Sequence, residues 1–108
     1  MTISSLGEKL GLTRLSDGPD RDIVSCYISD MLSRVLGGCG HGDVWITVQC
    51  SINMVAVAVM TGASCVILPE GLTAAADVTD KANEEGLTIY SSEESAFTLA
   101  IKIAQFIK

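Results

Sequence analysis

Residues that could bind a small molecule follow three of the predicted β-strands. They are Gln49, Cys50, Ser51, Asn53, Glu70, Gly71, Ser91 and Ser92. In open parallel sheets, ligands collect beyond the carboxyl ends of the strands, where helix N termini present free N–H groups. Hydroxyl, thiol and amide groups at such an edge suit a small polar or anionic ligand. We therefore predict a candidate ligand site at this edge.

A structural role is open for part of the same set. Ser51, Thr73 and Ser91 each stand at the predicted start of a helix. A hydroxyl oxygen at that position accepts a hydrogen bond from a backbone N–H of the first turn. Helix capping and ligand binding are therefore alternative interpretations of these residues.

Cys39 and His41 lie close together in the glycine-rich segment GGCGHGD. The four cysteines include no C-x-x-C pair, which argues against a zinc knuckle or an iron–sulfur cluster. Two ligands in a glycine-rich loop are fewer than a structural metal site requires. We predict no metal and no cofactor, and a redox or metal-related role for Cys39, His41 and Cys50 is the weakest functional hypothesis.

The motifs that nucleotide-dependent and hydrolytic enzymes use are missing from the sequence. It contains no G-x-x-x-x-G-K-[ST] loop, no dinucleotide-binding fingerprint and no G-x-S-x-G nucleophile elbow. A catalytic triad would have to use His41, the single histidine, which lies between glycines and is poorly placed for a rigid general base. The sequence predicts a protein that is not an enzyme.

Length and charge narrow the remaining possibilities. The 108 residues suit one domain, which we predict over 1–108, and 48% of them are hydrophobic. A formal net charge of -6 with scattered basic residues disfavours nucleic-acid binding. The first residues, MTISSLGEKL, do not have the pattern of a secretory signal, so we expect a cytoplasmic protein.

The stretch 44–69 contains no charged residue, which raises the question of whether it spans a membrane. Polar Gln49, Ser51 and Asn53 interrupt the stretch, and Gly62 ends its helical part. A spanning helix needs about 20 mostly apolar residues in one element. The stretch therefore predicts a strand, a crossover helix and a parallel strand in a protein without a membrane segment.

Apolar periodicity and turn residues predict alternating elements along the chain. The predicted strands cover 12–16, 22–29, 43–49, 65–68 and 87–90, and the predicted helices cover 3–10, 31–37, 52–61, 74–85 and the C-terminal segment. The predicted helix starts are Thr2, Asp30, Ser51, Thr73 and a capping box of Ser91 with Glu94. The fold class is α/β: a three-layer α/β/α domain with a mostly parallel sheet of about five strands. The last three strands are parallel, and the first two form a less defined edge.

The crossover helix has apolar residues around its whole circumference. They are Ile52, Met54, Val55, Val57, Val59 and Met60. Because one sheet covers only one face of a helix, a second apolar partner is required. That partner is either another helix of the domain or the same helix of a second copy. We predict a homodimer whose interface includes Met54, Val57, Ala58 and Thr61.

The whole chain resembles the DRTGG domain, a small α/β module similar to the amino-terminal domain of HPr kinase/phosphorylase. The segments that carry the resemblance are Ile23–Gly37, Gly42–Leu68 and Glu84–Ile103. The chain has Gln49–Ser51 and Pro69–Gly71 where the family motif has glycine, aspartate, arginine and a T-G-G triplet, so no catalytic residue is transferred. The P-loop of the kinase half is missing.

The resemblance implies a non-catalytic regulatory or protein-interaction module. The alternative is a module that binds a small anion or metabolite at the carboxyl ends of the strands. A second copy, a protein partner or a small anionic ligand are the expected partners.

Overall fold

Helices and strands alternate along most of the chain in the computed structural model, which describes residues 1–107. Lys108, the last residue of the predicted domain, lies outside the described residues. The helices are α1 (Ile3–Leu10), α2 (Leu32–Gly38), α3 (Ile52–Thr61), α4 (Ala76–Glu85) and α5 (Ala96–Ala104). The strands are β1 (Thr13–Arg14), β2 (Cys26–Ile28), β3 (Val44–Ile46), β4 (Cys65–Leu68) and β5 (Ile89–Ser91).

The five strands form one sheet in the order β1-β5-β4-β3-β2. Strands β2 to β5 are parallel, and β1 pairs with β5 in the antiparallel direction. The predicted mostly parallel sheet is confirmed. The first two strands do not share an edge, however, because hydrogen bonds such as Leu15 N–H to the Ile89 carbonyl (2.7 Å) hold β1 beside β5, while β2 pairs with β3.

Alternating side chains of the strands point into two separate cores, as a pleated sheet requires. Trp45, Val66, Leu68 and Ile89 pack with buried residues of α2, α3 and α4. On the other face, Val44, Ile46, Cys65, Ile67 and Tyr90 pack with residues of α1 and α5. The predicted three-layer α/β/α arrangement is therefore confirmed. None of the helices within residues 1–107 is long and apolar enough to cross a membrane.

Two predicted helix starts and three glycine stops are confirmed. The Thr2 hydroxyl accepts the Ser5 N–H (3.2 Å), and the Ser51 hydroxyl accepts the Met54 N–H (3.2 Å). Gly11, Gly62 and Gly86 end α1, α3 and α4 in the left-handed conformation, which glycine adopts without a steric penalty.

Three predicted caps are wrong because other interactions occupy those residues or the helix starts later. The Asp30 carboxylate accepts hydrogen bonds from the Thr47 hydroxyl and the Val48 N–H, both at 2.9 Å, so it joins the ends of β2 and β3 instead of capping α2. Thr73 precedes the N-cap residue of α4, which is Ala75.

At the start of α5, Ser91 remains within β5 because it is paired with Leu68. The cap is Ser95, whose hydroxyl accepts the Thr98 N–H (3.2 Å). Glu94 forms an ion pair with Lys102 instead of a capping box. The C-terminal helix was predicted correctly, but its N-cap is Ser95 and not Ser91.

Helix α3 packs between α2 and α4 in one layer, so neighbouring helices of the same chain cover part of its apolar circumference. Met54, Val57 and Ala58 are buried in this core, and Thr61 is half-buried with its hydroxyl bonded to the Ala58 carbonyl (3.1 Å). These four residues therefore do not form the outward face of α3 that a second copy could contact.

Gly7 lets α1 lie close to the sheet. A Cβ atom at this position would be 2.8 Å from the Tyr90 hydroxyl oxygen. Tyr90 is buried, and its hydroxyl is held between two partners: it donates to the Ile3 carbonyl (2.9 Å) and accepts from Arg14 (3.1 Å). These two hydrogen bonds hold the Tyr90 side chain against α1, so this contact fixes the distance between α1 and β5.

We expect Gly7→Ala to lower the free energy of unfolding by about 1–3 kcal/mol, the usual effect of overpacking a core. Gly37→Ala in α2 is the matched control, since its added Cβ meets no atom within 4 Å. That variant should gain about 0.5–1 kcal/mol, as alanine does over glycine in a helix. Urea unfolding followed by circular dichroism measures both values, and stabilisation of both variants would contradict the close contact at Gly7.

Candidate functional site

The residues after β3 are used mainly to hold the structure. The Gln49 side-chain amide donates to the Asp30 carbonyl (2.9 Å), and its backbone N–H donates to the Thr47 hydroxyl (3.1 Å). The Ser51 hydroxyl caps α3. Asn53 is exposed in the first turn of that helix. Gln49 and Ser51 therefore have a structural role, which the sequence had suggested as an alternative for Ser51 alone.

The loops after β4 and β5 are joined by backbone hydrogen bonds. The Glu70 N–H donates to the Glu94 carbonyl (2.9 Å), and the Gly71 N–H donates to the Ser92 carbonyl (2.8 Å). Glu70 (φ 60°) and Gly71 (φ 72°) are both left-handed. For Glu70 that conformation costs about 1–2 kcal/mol. The structure thus brings Glu70, Gly71 and Ser92 together, as the parallel sheet predicted.

Carboxylates surround this edge of the sheet. Asp30, Glu70, Glu93 and Glu94 follow three of the four parallel strands, and the Lys102 ammonium group pairs with Glu94. The second carboxylate oxygen of Glu94 is buried without a hydrogen-bond partner within residues 1–107. Because like charges repel strongly in partly buried surroundings, the edge is unfavourable for an anion. The acidic run SSEES is the signal of this charge in the sequence.

The residues proposed for redox or metal chemistry are not brought together. Cys39 and His41 precede β3, whereas Cys50 follows it, so they lie toward opposite ends of the strand. Within residues 1–107 no group of three or more His, Cys, Asp or Glu side chains is arranged to hold a metal ion. All four cysteines are free thiols.

Burial suppresses the reactivity of the thiols. It raises the pKa of Cys65 to about 12 and that of Cys26 to about 11. Burial also raises the pKa values of Cys39 and Cys50. Since the thiolate is the reactive form, burial slows the reactions of these thiols near neutral pH. The arrangement gives no support to the redox hypothesis.

Two surface cavities lie away from the predicted site. One, of about 520 Å³, lies beside α1 and β1 and is lined by Ser4, Gly7, Glu8, Gly11, Leu12, Arg14 and Tyr90. The other, of about 350 Å³, lies toward the amino ends of the parallel strands and is lined by Arg21, Asp22, Val24, His41, Gly42, Gly62 and Ser64. The sequence analysis did not find either cavity, because the lining residues come from distant segments and form no local motif.

Comparison with known proteins gives a similarity in fold. No protein-family model matches the chain, and no curated protein matches it. A solved structure of the CBS and DRTGG domains of the regulatory region of Clostridium perfringens pyrophosphatase, in complex with the activator diadenosine tetraphosphate, superposes with a TM-score of 0.74 at 15% sequence identity. The chain has a DRTGG-like fold. The match covers 97% of this chain but only 46% of that protein's chain.

We expect Cys50 to be the first cysteine alkylated by iodoacetamide in the folded protein near neutral pH. Cys50 and Cys26 are both half-buried, but burial raises the pKa of Cys26 to about 11. Cys65 is fully enclosed and should react only after unfolding. Peptide mass spectrometry over time gives the order, and Cys50→Ser should remove the early product. Fast labelling of Cys65 in the folded protein would show that its surroundings are more open than the structure indicates.

Proposed function

We propose that this chain is a non-catalytic regulatory module, a single domain of residues 1–108 that acts in the cytoplasm as a homodimer. Its DRTGG-like fold supports a regulatory role, because the similar solved structure is a regulatory region. Four free cysteines fit a reducing compartment. The similarity to the amino-terminal domain of HPr kinase/phosphorylase is part of the same proposal and rests on the sequence segments alone.

The outward face of α3 is the observation that carries the dimer proposal. Ile52, Ala56, Val59 and Met60 recur at the spacing of one helix face, and we call them the α3 stripe. Their exposure is high: 44% for Ile52, 42% for Val59 and 74% for Met60. Contiguous exposed apolar surface of this kind marks interaction sites in monomeric folds. The stripe is therefore the part of α3 that needs an external partner.

Charge favours a second copy as that partner. Helix α3 contains no charged residue, whereas the neighbouring α4 exposes Asp77, Asp80, Glu84 and Glu85. Two copies, each with a net charge of -6, repel each other over most of their surfaces. In an isologous interface, a two-fold axis brings the same patch of both copies together. At the α3 stripe that patch is uncharged, so contact there avoids the repulsion.

Helix α5 also has an exposed apolar stripe, formed by Phe97, Ile101 and Ala104. It is less suited to self-association, because two copies meeting there would bring together the two exposed Glu93 carboxylates and the two Glu94–Lys102 ion pairs. A specific interface buries about 800 Å² per partner, roughly 15% of the 5383 Å² surface of this chain.

The alternative, a module that binds a small molecule, has in its favour that the similar structure holds an activator. The carboxylates at the carboxyl ends of the strands argue against an anion at the predicted residues. This alternative therefore needs either a neutral or cationic ligand at that edge or a different site.

We expect Met60→Glu and Val59→Glu to convert a dimeric wild type into folded monomers. Each carboxylate would have to be desolvated in the interface, yet each side chain is exposed in the single subunit. Met54→Glu, by contrast, places its charge in the core and should unfold the protein. Sedimentation velocity gives the assembly state, and circular dichroism reports whether each variant is folded.

Gln105→Glu is the matched control, since it adds the same charge at an exposed position outside α3. It should remain dimeric. A wild type that is monomeric at high concentration, or a Met60→Glu protein that dimerises as tightly as Gln105→Glu, would overturn the dimer proposal.

A further inference from the structure

We propose that the cavity beside α1 and β1 binds a small molecule that has an oxyanion group, a carboxylate or a phosphate, together with a hydrogen-bond donor. Arg14 is the residue that would bind the oxyanion. The proposal goes beyond the dimeric regulatory role and does not depend on it, because α1 and α3 lie on opposite faces of the sheet.

Arg14 is held rigidly on one wall of the cavity. One terminal nitrogen, Nη2, donates to the Tyr90 hydroxyl (3.1 Å), and the other, Nη1, donates to the Thr88 hydroxyl (3.3 Å). Its guanidinium carbon lies 5.2 Å from the centre of the Tyr90 ring, within the range of a cation–π contact. Thr88 and Tyr90 are both buried, so they hold the guanidinium group in one place.

The guanidinium group retains unused hydrogen-bonding capacity. Of its five N–H groups, two are engaged by Thr88 and Tyr90, and within residues 1–107 no other hydrogen bond from this group is present. The Asp17 carboxylate lies 3.7 Å from Nη1 and is 86% exposed, so solvent screens this ion pair. The planar fork is therefore available for the bidentate contact that carboxylates and phosphates make with arginine.

The remaining lining gives room and a second recognition element. Gly7 and Gly11 contribute no side chains, and a Cβ atom at Gly11 would meet nothing within 4 Å. A volume of about 520 Å³ lies within the range of small-molecule sites. Glu8 contributes a carboxylate to the same cavity, and the C terminus of α1 carries a partial negative charge. A ligand that presents a donor such as an ammonium group on that side would complement both.

The test is a titration of the ¹⁵N-labelled protein by NMR with three probes: acetate, inorganic phosphate and glycine. Acetate is an oxyanion alone, whereas glycine adds an ammonium group. We expect probe-dependent shifts centred on Gly7, Gly11 and Arg14, with glycine binding more tightly than acetate. Phosphate binding more tightly than both would identify a phosphorylated ligand, and the reverse order would identify a carboxylate.

Arg14→Gln should weaken probe binding about tenfold or more, since charge-assisted hydrogen bonds are lost. Arg14→Lys keeps the charge but not the planar fork, so this second variant tests the bidentate contact. Arg34→Gln, at an exposed position of α2, is the matched control. Glu8→Gln should abolish the preference for glycine over acetate. No binding of any probe, or equal binding by Arg14→Gln and Arg34→Gln, would overturn the proposal.

Discussion

The middle strands β3 and β4 are buried on both faces, and the rest of the structure is organised around that constraint. Every side chain from Val44 to Ile46 and from Cys65 to Leu68 is inaccessible to solvent. Strands of three or four residues have too few backbone hydrogen bonds to be stable alone, so the packed layers on either side must supply most of the stabilisation. Helix α3, the crossover between β3 and β4, covers one face together with α2 and α4, and α1 and α5 cover the other.

The two ends of the parallel strands differ in their chemistry. The carboxyl end, where ligands collect in many α/β proteins, is bordered by carboxylates and joined by backbone hydrogen bonds between the loops at Glu70 and Glu94. A fixed guanidinium group is found instead at the antiparallel edge, where Arg14 of β1 lies beside Tyr90. Self-association through the α3 stripe and ligand binding at Arg14 would use opposite layers of one domain. A regulatory module can in that way keep assembly and sensing on separate surfaces.

The fold was predictable because its signals are local and repeated. The uncharged run, with Ser51 and Gly62 at the ends of its helical segment, predicted the β3–α3–β4 unit. Each of the confirmed helix stops is a glycine. Placement of β1 against β5 was not predictable, because it depends on pairing between residues far apart in sequence, such as Thr13 and Ser91, which are 78 positions apart. Asp30 was misassigned for the same reason: its partners, Thr47 and Val48, are distant in sequence.

The candidate site was only partly predictable. The polar residues after the strands do lie at one edge, and the acidic run SSEES beside them is visible in the sequence, but the hydrogen bond from Gln49 to Asp30 is not. To choose residues for the proposed interface, one must know which face of α3 the neighbouring helices cover. An apolar helix reveals that a partner is needed, yet the burial of Met54 and the exposure of Met60 depend on the positions of α2 and α4.

Disulfide cross-linking tests the central claim most directly, since Met60 and Phe97 are equally exposed, each at 74%, on the two opposite layers. The Met60→Cys and Phe97→Cys proteins would be oxidised side by side at a low concentration that still maintains the dimer, and the covalent dimer would be quantified on a non-reducing gel. Contact through the α3 stripe predicts rapid cross-linking of Met60→Cys and little of Phe97→Cys. Equal cross-linking of the two, or faster cross-linking of Phe97→Cys, would contradict the account.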